Sequence, residues 1–370
     1  MTPARVLHVL ATAHEHGASI GRMVRTLAQA LDPGRFCVAA WFLGGEGPLA
    51  KEFATAGIAV RTFDWSGDRH EVVGASGFWR GLRREPFSIV HLHFGGRAAP
   101  FLVRSAVRTK IVLHLHYNGA EAGRTGPIRI RPWMADQVVA LSRAVAGDVI
   151  GVTPRVVYYG IRIPQHSGRG VTQRHNSPQS AVLGVASRLV PVKGIVYLIR
   201  ALALLRQEFP AVRLEIAGAG PEQAGLQQEA RALDLCDAVA FVGWQADIWP
   251  WLARWDIFVQ PSLAEGFGMA ALEAMAAGLP VVGTSAGGLP ELIEDGCSGY
   301  VVPPGDATAL AARLRELLLN ADRRSAMGAA GQARVRERFS AERMAAELSG
   351  IYDALLDPQW SSPTGLGSDA

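Results

Sequence analysis

Two glutamates eight positions apart carry the most chemistry in this sequence. They lie in residues 261–280, PSLAEGFGMAALEAMAAGLP. Glu265 follows an apolar strand at 256–260 and shares a short loop with Gly266, Phe267 and Gly268. A helix of small residues follows and carries Glu273, about 7 Å into the helix at about 1.5 Å per residue. Gly268 and Met269 fall at the helix start, where backbone N–H groups lack intrahelical acceptors and can hold an anion or a hydroxyl. Pro280 ends the helix. The loop suits a polyhydroxylated, phosphorylated ligand better than an apolar one. Two blander readings compete: a tight turn with a solvated helix glutamate, and a dinucleotide fingerprint, since Gly266, Gly268 and Ala271 fit G-x-G-x-x-A. The second leaves both glutamates without a task.

A second group is basic. Residues 181–186 read as a strand, and SRLVPVKG leaves its carboxyl end. Arg188 and Lys193 enter the helix that follows, so two cations and a helix N-terminus can meet one anion. A pair of solvated loop charges is the competing reading. Gly218 and Gly220, in IAGAGP after the next strand, allow close backbone approach. Pro290 and Glu291 are explained as helix-start chemistry and are not assigned to catalysis.

Three H-x-H pairs, His14/His16, His91/His93 and His114/His116, fall at or near strand ends. Residues two apart share a strand face, so a metal site is conceivable. No pair has a cysteine or a regular carboxylate partner, and hydrogen bonding to hydroxyls or phosphates suits them better. His116 is the best ligand-facing candidate because Tyr117-Asn118-Gly119 then breaks the strand. In residues 120–133 Arg124, Arg129 and Arg131 interleave with apolar residues and Trp133, a pattern that suits an anionic membrane surface or a plain surface loop.

The elements that must position these residues alternate along the chain. Strand-like runs at 5–10, 36–43, 58–63, 88–93, 110–116, 137–142 and 155–159 are separated mostly by helical segments. The same alternation recurs from 181 onward. It predicts parallel sheets covered on both faces, with ligands at the carboxyl ends of the strands. The polar stretch 161–180, rich in Pro, Gly and Ser, reads as a linker. The expected division is an N-terminal Rossmann-like domain at 1–162, a linker at 163–180, a second Rossmann-like domain at 181–342, a C-terminal helix at 343–357 and a disordered tail at 358–370.

Charge is uneven. Residues 1–165 hold 20 Lys and Arg against 11 Asp and Glu, and the remainder holds 17 against 22. A basic first half points to an anionic partner, such as a phospholipid surface, a lipid phosphate or a nucleic acid. No run of residues is apolar and long enough to span a membrane, and the start lacks a signal-peptide pattern. Cys37, Cys236 and Cys297 are widely spaced and read as reduced core residues of a cytosolic protein.

Together, E-x7-E in residues 261–280, Arg188 and Lys193 in SRLVPVKG, IAGAGP at 216–221 and GGLPELIEDGCSGYVVPPGD at 287–306 resemble the retaining GT-B glycosyltransferases of family 4. The resemblance covers the whole second half in order. The first half is similar more loosely, through IVHLHFGG, VLHLHYNG, VVALS and VVYYGI. It implies two Rossmann-like α/β domains facing across a cleft, with the last helix crossing back to the first. It also implies a nucleotide-sugar donor, UDP-linked by preference and GDP-linked as the second choice, and an acceptor hydroxyl on a sugar, lipid-linked or small molecule. By the same resemblance Arg188 and Lys193 hold the diphosphate, Glu273 the ribose, and Glu265 with the backbone of Phe267, Gly268 and Met269 the sugar. His116 looks like the histidine beside the transferred sugar, and Gly17 like the glycine under the phosphates, although Ala18 stands where the family has a second glycine. No cofactor, metal or nucleic acid is implied, and D-x-D is absent. A cytoplasmic location, with peripheral contact to the inner face of an anionic membrane, is expected.

The implied chemistry fits the residue types. Breaking the anomeric bond leaves negative charge on the diphosphate, which two cations and a helix N-terminus stabilise. A glycoside hydrolase would use two carboxylates but not the cations. An epimerase, a sugar phosphorylase and a non-catalytic nucleotide-sugar or lipid-binding module also compete. Each lacks acceptor-dependent transfer.

Overall fold

The computed structural model describes residues 2–13, 18–65, 72–93, 98–117, 119, 121, 123, 126–163 and 180–359. Strands are β1 (Ala4–Leu10), β2 (Phe36–Phe42), β3 (Ala59–Thr62), β4 (Ile89–Leu92), β5 (Lys110–Leu115), β6 (Ile128–Arg129), β7 (Gln137–Ala140), β8 (Val149–Ile150), β9 (Arg155–Val156), β10 (Val182–Ala186), β11 (Arg213–Ala217), β12 (Val239–Gly243), β13 (Ile257–Gln260), β14 (Val281–Thr284) and β15 (Gly299–Val302). Helices are α1 (Ala18–Ala30), α2 (Pro48–Thr55), α3 (Val72–Arg84), α4 (Ala98–Ala106), α5 (Arg143–Gly147), α6 (Ile195–Arg206), α7 (Gln223–Ala232), α8 (Trp249–Leu252), α9 (Met269–Ala276), α10 (Leu289–Leu292), α11 (Ala307–Leu319), α12 (Ala321–Arg338) and α13 (Ala341–Leu356).

The chain divides into two compact units, one of Met1–Gly160 with Ser340–Ala370 and one of Ile161–Phe339. Among the described residues the first holds a seven-stranded sheet in the order β3-β2-β1-β4-β5-β7-β9, and β6 pairs with β8 beside it. The second holds six strands in the order β12-β11-β10-β13-β14-β15. Every pair in both sheets is parallel. The strand–helix alternation read from the sequence is the alternation found. Each sheet reverses direction once, between β1 and β4 and between β10 and β13, which are the places where such sheets open a crevice at their carboxyl edge.

Apolar runs without alternation explain why these strands are central. Residues 257–260 and 281–284 are buried throughout, as strands covered on both faces must be. In the second unit Val185 and Ile216 of the sheet pack with Leu198 and Leu202 of α6 and Leu314 of α11. In the first, Trp41 meets Phe78 and Phe87 edge-to-face. α13 belongs to this unit, and its Tyr352 packs edge-on against Phe36.

α12 begins at Ala321, where the Asn320 side chain accepts the Arg323 N–H as its cap. One expectation changes. The three cysteines are free but exposed, not core residues. Cys37 lies near the start of an edge-proximal strand, and Cys236 and Cys297 lie in turns, where a small side chain has no core to enter. Among the described residues no helix is long and apolar enough to cross a membrane. Most of the expected linker, residues 164–179, and of the expected tail, residues 360–370, lies outside the described residues.

Candidate active site

In the second unit the sheet's reversal point gathers the loops that follow β10 and β13. The loop after β10 closes in a short 3-10 turn, Pro191–Lys193, with Pro191 fixing its first position. Gly194 then takes φ +64°, and a Cβ there would lie 2.1 Å from the Pro261 carbonyl oxygen. Only glycine permits that approach, and it brings the turn against the loop after β13. The Leu263 N–H donates to the Val192 carbonyl across the same junction.

This packing delivers Lys193 to Glu265. Lys193 Nζ donates to both carboxylate oxygens at 3.0 Å. Gln260 Nε2 donates to Glu265 Oε2 at 3.1 Å and Ser262 Oγ donates to the same oxygen at 3.0 Å. Lys193 and Glu265 are each only 7 % exposed. Burying such a pair costs desolvation that the mutual attraction and the neutral donors must offset. Gln260 and Ser262 were not foreseen; the signal for them is their place at the end of β13, where the strand switches from apolar to polar.

Glu273 is buried within α9, as the fifth residue of that helix. Gly268 caps α9 with φ +101°, and a Cβ there would meet Leu289 at 2.6 Å. Gly266 and Phe267 are buried in the same turn, and Gly288 N–H donates to the Glu265 carbonyl. Arg188 is exposed on the loop after β10, and its guanidinium has no side-chain partner among the described residues.

Gly218 and Gly220 face protein backbone. A Cβ on Gly218, at φ +147°, would lie 1.8 Å from the Ser187 oxygen, and one on Gly220 would lie 2.4 Å from the Leu189 oxygen. Ser187 N–H and Leu189 N–H donate to the carbonyls of Ala217 and Ala219. These glycines therefore hold the Arg188 loop against the end of β11. Gly218→Ala is expected to lower the stability of the second unit by about 1–3 kcal/mol through overpacking. Urea denaturation checks this, and an unchanged midpoint would show that the loops separate without cost.

The first unit holds a cluster of five buried histidines. The parallel register sets His8 beside His91. His93 and His116 follow β4 and β5, and His114 lies within β5. Their rings form two strings. His116 Nε2 lies 3.0 Å from His93 Nδ1, and His93 Nε2 lies 2.8 Å from His8 Nδ1. His91 Nε2 lies 3.2 Å from His114 Nδ1. Tyrosines close the outer ends: Tyr159 at His116 Nδ1 and Tyr352 at His91 Nδ1, both at 2.6 Å. His8 Nε2 and His114 Nε2 at the inner ends have no partner among the described residues. Burial holds His8 and His114 down at about 3, and burial with neighbouring imidazoles holds His91, His93 and His116 well below their ordinary range.

His8/His91/His93 and His93/His114/His116 each bring three ring nitrogens within 4.8 Å. The set suits a divalent cation poorly. It offers no anionic ligand in a desolvated interior, and its nitrogens already pair ring to ring. His116 has both ring nitrogens committed to Tyr159 and His93, so its side chain is an internal link of the string in this structure. His8 was missed because one histidine in a buried strand carries no signal until register sets it beside another. Gly17, His14, His16 and Arg124 lie outside the described residues.

Both units have relatives among known proteins. Residues 172–334 match the model of glycosyl transferases group 1, and residues 20–163 match that of glycosyltransferase family 4. N-acetyl-alpha-D-glucosaminyl L-malate synthase of Bacillus anthracis is 30 % identical over 294 residues, spanning 74 % of this chain and 77 % of that protein. The chain belongs to glycosyltransferase family 4. D-inositol 3-phosphate glycosyltransferase of Streptomyces scabiei is 33 % identical over 60 % of the transferase, and the match spans 54 % of that relative. The Anabaena Alr3699/HepE structure in complex with UDP and glucose superposes with a TM-score of 0.77 at 22 % identity, covering 94 % of the transferase and 99 % of HepE. That likeness shows the GT-B fold. Transferases of this family generally act without a metal.

In the second unit of the transferase the site residues fall into three groups. Lys193 and Glu265 are in direct contact, with Gln260 and Ser262 on the same carboxylate. Arg188, Gly218 and Gly220 share one edge through the backbone bonds above, and Gly266, Phe267, Gly268, Met269 and Glu273 share the turn and helix α9. His116 belongs to the first unit.

Proposed function

We propose that the transferase moves a sugar, with retention of configuration and without a metal, from a nucleoside diphosphate sugar to an acceptor hydroxyl. The single observation that carries this is the Lys193–Glu265 pair beside the start of α9, at the point where the second sheet reverses. In this reading Lys193 and Arg188 hold the diphosphate, and the α9 N-terminus adds its backbone N–H groups. As the anomeric bond breaks, charge grows on the leaving oxygen, and fixed cations stabilise it with no reorganisation. Glu265 orients the sugar while its own carboxylate is fixed by Gln260 and Ser262. Glu273 takes the ribose hydroxyls. The departing phosphate accepts the acceptor's proton, so no protein nucleophile is required. UDP is the favoured nucleotide, supported by its presence in the HepE complex, and the acceptor is chosen by the first unit.

A thermal-shift panel of nucleotides and nucleotide sugars tests the donor, because a ligand that binds only the folded protein raises its melting temperature. A shift with UDP- or GDP-sugars, followed by acceptor-dependent turnover, is the expected result. No shift with any nucleotide, or nucleotide-independent cleavage of aryl glycosides, would overturn the reading. Glu273→Gln is expected to weaken nucleotide-sugar binding by roughly tenfold or more, the scale of a hydrogen bond to a charged group. Titration calorimetry with unchanged affinity would remove the ribose role.

A further inference from the structure

Phe101 is the most exposed large apolar side chain among the described residues, at 62 %. It lies on α4, which buries Ala99 and Val103. Helical spacing turns Phe101, Arg104 and Ser105 to the opposite side. A phenyl ring on that outer face has no task in folding or in the donor chemistry.

The neighbours of α4 extend the same surface in both directions. Trp79 Nε1 of α3 donates to Ser105 Oγ at 3.2 Å, and the Arg83 guanidinium lies over the Trp79 ring at 4.9 Å. α3 turns Phe78 and Leu82 into the core, which leaves Trp79 and Arg83 along its rim. On the other side Arg104 Nε donates to the Trp133 carbonyl at 3.4 Å and Arg104 Nη2 to Asp136 at 2.7 Å. Trp133 is 40 % exposed. Just before it Ile130 is buried, so Arg129 and Arg131, one position to either side on extended backbone, point outward and are exposed.

The charge of this surface has one sign. Residues 72–84, 98–110 and 126–135 together hold eight Lys and Arg and no Asp or Glu. Arg83, Arg108, Arg129 and Arg131 pair with no carboxylate among the described residues. Asp136 balances Arg104 alone. Scattered solvated arginines would not explain why Phe101 and Trp133 stand exposed among them. Arginines around exposed aromatic rings are what a bilayer interface receives, the cations at the headgroups and the rings at the acyl boundary. Single-stranded nucleic acid is instead held in a groove lined by stacking rings, whereas Phe101 projects from a helix.

We infer that the outer face of α3, α4 and the turn at Pro132–Met134 docks the first unit on an anionic phospholipid bilayer. Arg83, Arg108 and Arg131 meet the lipid phosphates, and Phe101 and Trp133 enter the interface. The docking does not depend on which donor the second unit takes.

The experiment is co-sedimentation of the full chain with vesicles of phosphatidylcholine alone and of phosphatidylcholine and phosphatidylglycerol in equal parts. Binding is expected with the mixed vesicles only, and it should weaken as salt rises. Arg83→Gln, Arg108→Gln and Arg131→Gln combined are expected to lower the partition coefficient by roughly a hundredfold. Phe101→Ser is expected to lower it by roughly tenfold. All four positions are exposed, so both variants should keep the melting temperature of the wild type. Four outcomes would overturn the inference: no binding by the wild type, equal binding to both vesicles, mixed-vesicle binding unchanged in the arginine variant, or binding unchanged in Phe101→Ser. Tighter retention on random-sequence RNA than on the mixed vesicles would also overturn it and assign the surface to nucleic acid.

Discussion

Lys193→Met is expected to lower the transfer rate by roughly 10²–10³-fold, the cost of removing one donor from a developing anion. It is also expected to destabilise the second unit by about 3–5 kcal/mol, because it leaves a buried carboxylate without its cation. The two effects have separate origins. The rate falls because the diphosphate loses one of the two cations assigned to it. The stability falls because Glu265, 7 % exposed, keeps only Gln260 and Ser262 as side-chain donors of those described above. Adding Glu265→Gln to Lys193→Met removes the stranded charge, so the double variant should regain much of the stability and none of the activity. Urea denaturation and initial rates at saturating donor measure both. A Lys193→Met protein as active as the wild type would end the leaving-group role, and one of unaltered stability would show that the pair relaxes into solvent.

Acidification is expected to destabilise the first unit as pH falls from about 6.5 towards 3. An unfolded histidine titrates near 6.5. His8 and His114 are held at about 3 in the fold by burial. A depressed histidine pKa means that the unfolded chain binds the proton first. Their contribution is therefore complete above about pH 6.5 and is lost as pH falls from there towards 3. At pH 5 each of the two costs the fold about 2 kcal/mol, and His91, His93 and His116 act in the same direction. Set against a typical domain stability of about 5–15 kcal/mol, His8 and His114 together remove a substantial share. Denaturant midpoints measured by circular dichroism from pH 7.5 to 4.5 should fall steeply, and more gently in a variant with His114→Leu. A stability flat from pH 7 to pH 5 would mean that the cluster takes up protons without unfolding.

Local patterns carried much of the architecture in the sequence, and long-range partners did not. Continuous apolar runs at 257–260 and 281–284, with Gly268 and Pro280 as stops, placed β13, α9 and β14 correctly because each signal acts over a few residues. The family was legible because several motifs of the second half stand in order. The contact between Lys193 and Glu265 spans 72 residues and depends on Gly194 packing against Pro261, which no periodicity reveals. Likewise His8 and His93 are 85 residues apart and meet through sheet order. The strand-end histidines looked ligand-facing because a polar residue at the end of an apolar strand usually meets solvent or substrate. Here four of them pair with one another and with His8 inside the core, and so the ring of His116 points inward. The cysteines were misplaced for a related reason: apolar character predicts burial only where the backbone offers a covered face.

The most direct measurement is a crystal structure of the protein with a bound nucleoside diphosphate. The pyrophosphate is expected at the carboxyl edge of β10 and β13, with Lys193 Nζ and the Arg188 guanidinium each about 3 Å from its oxygens. Diphosphate lodged away from both side chains, with the Lys193–Glu265 pair undisturbed, would contradict that placement.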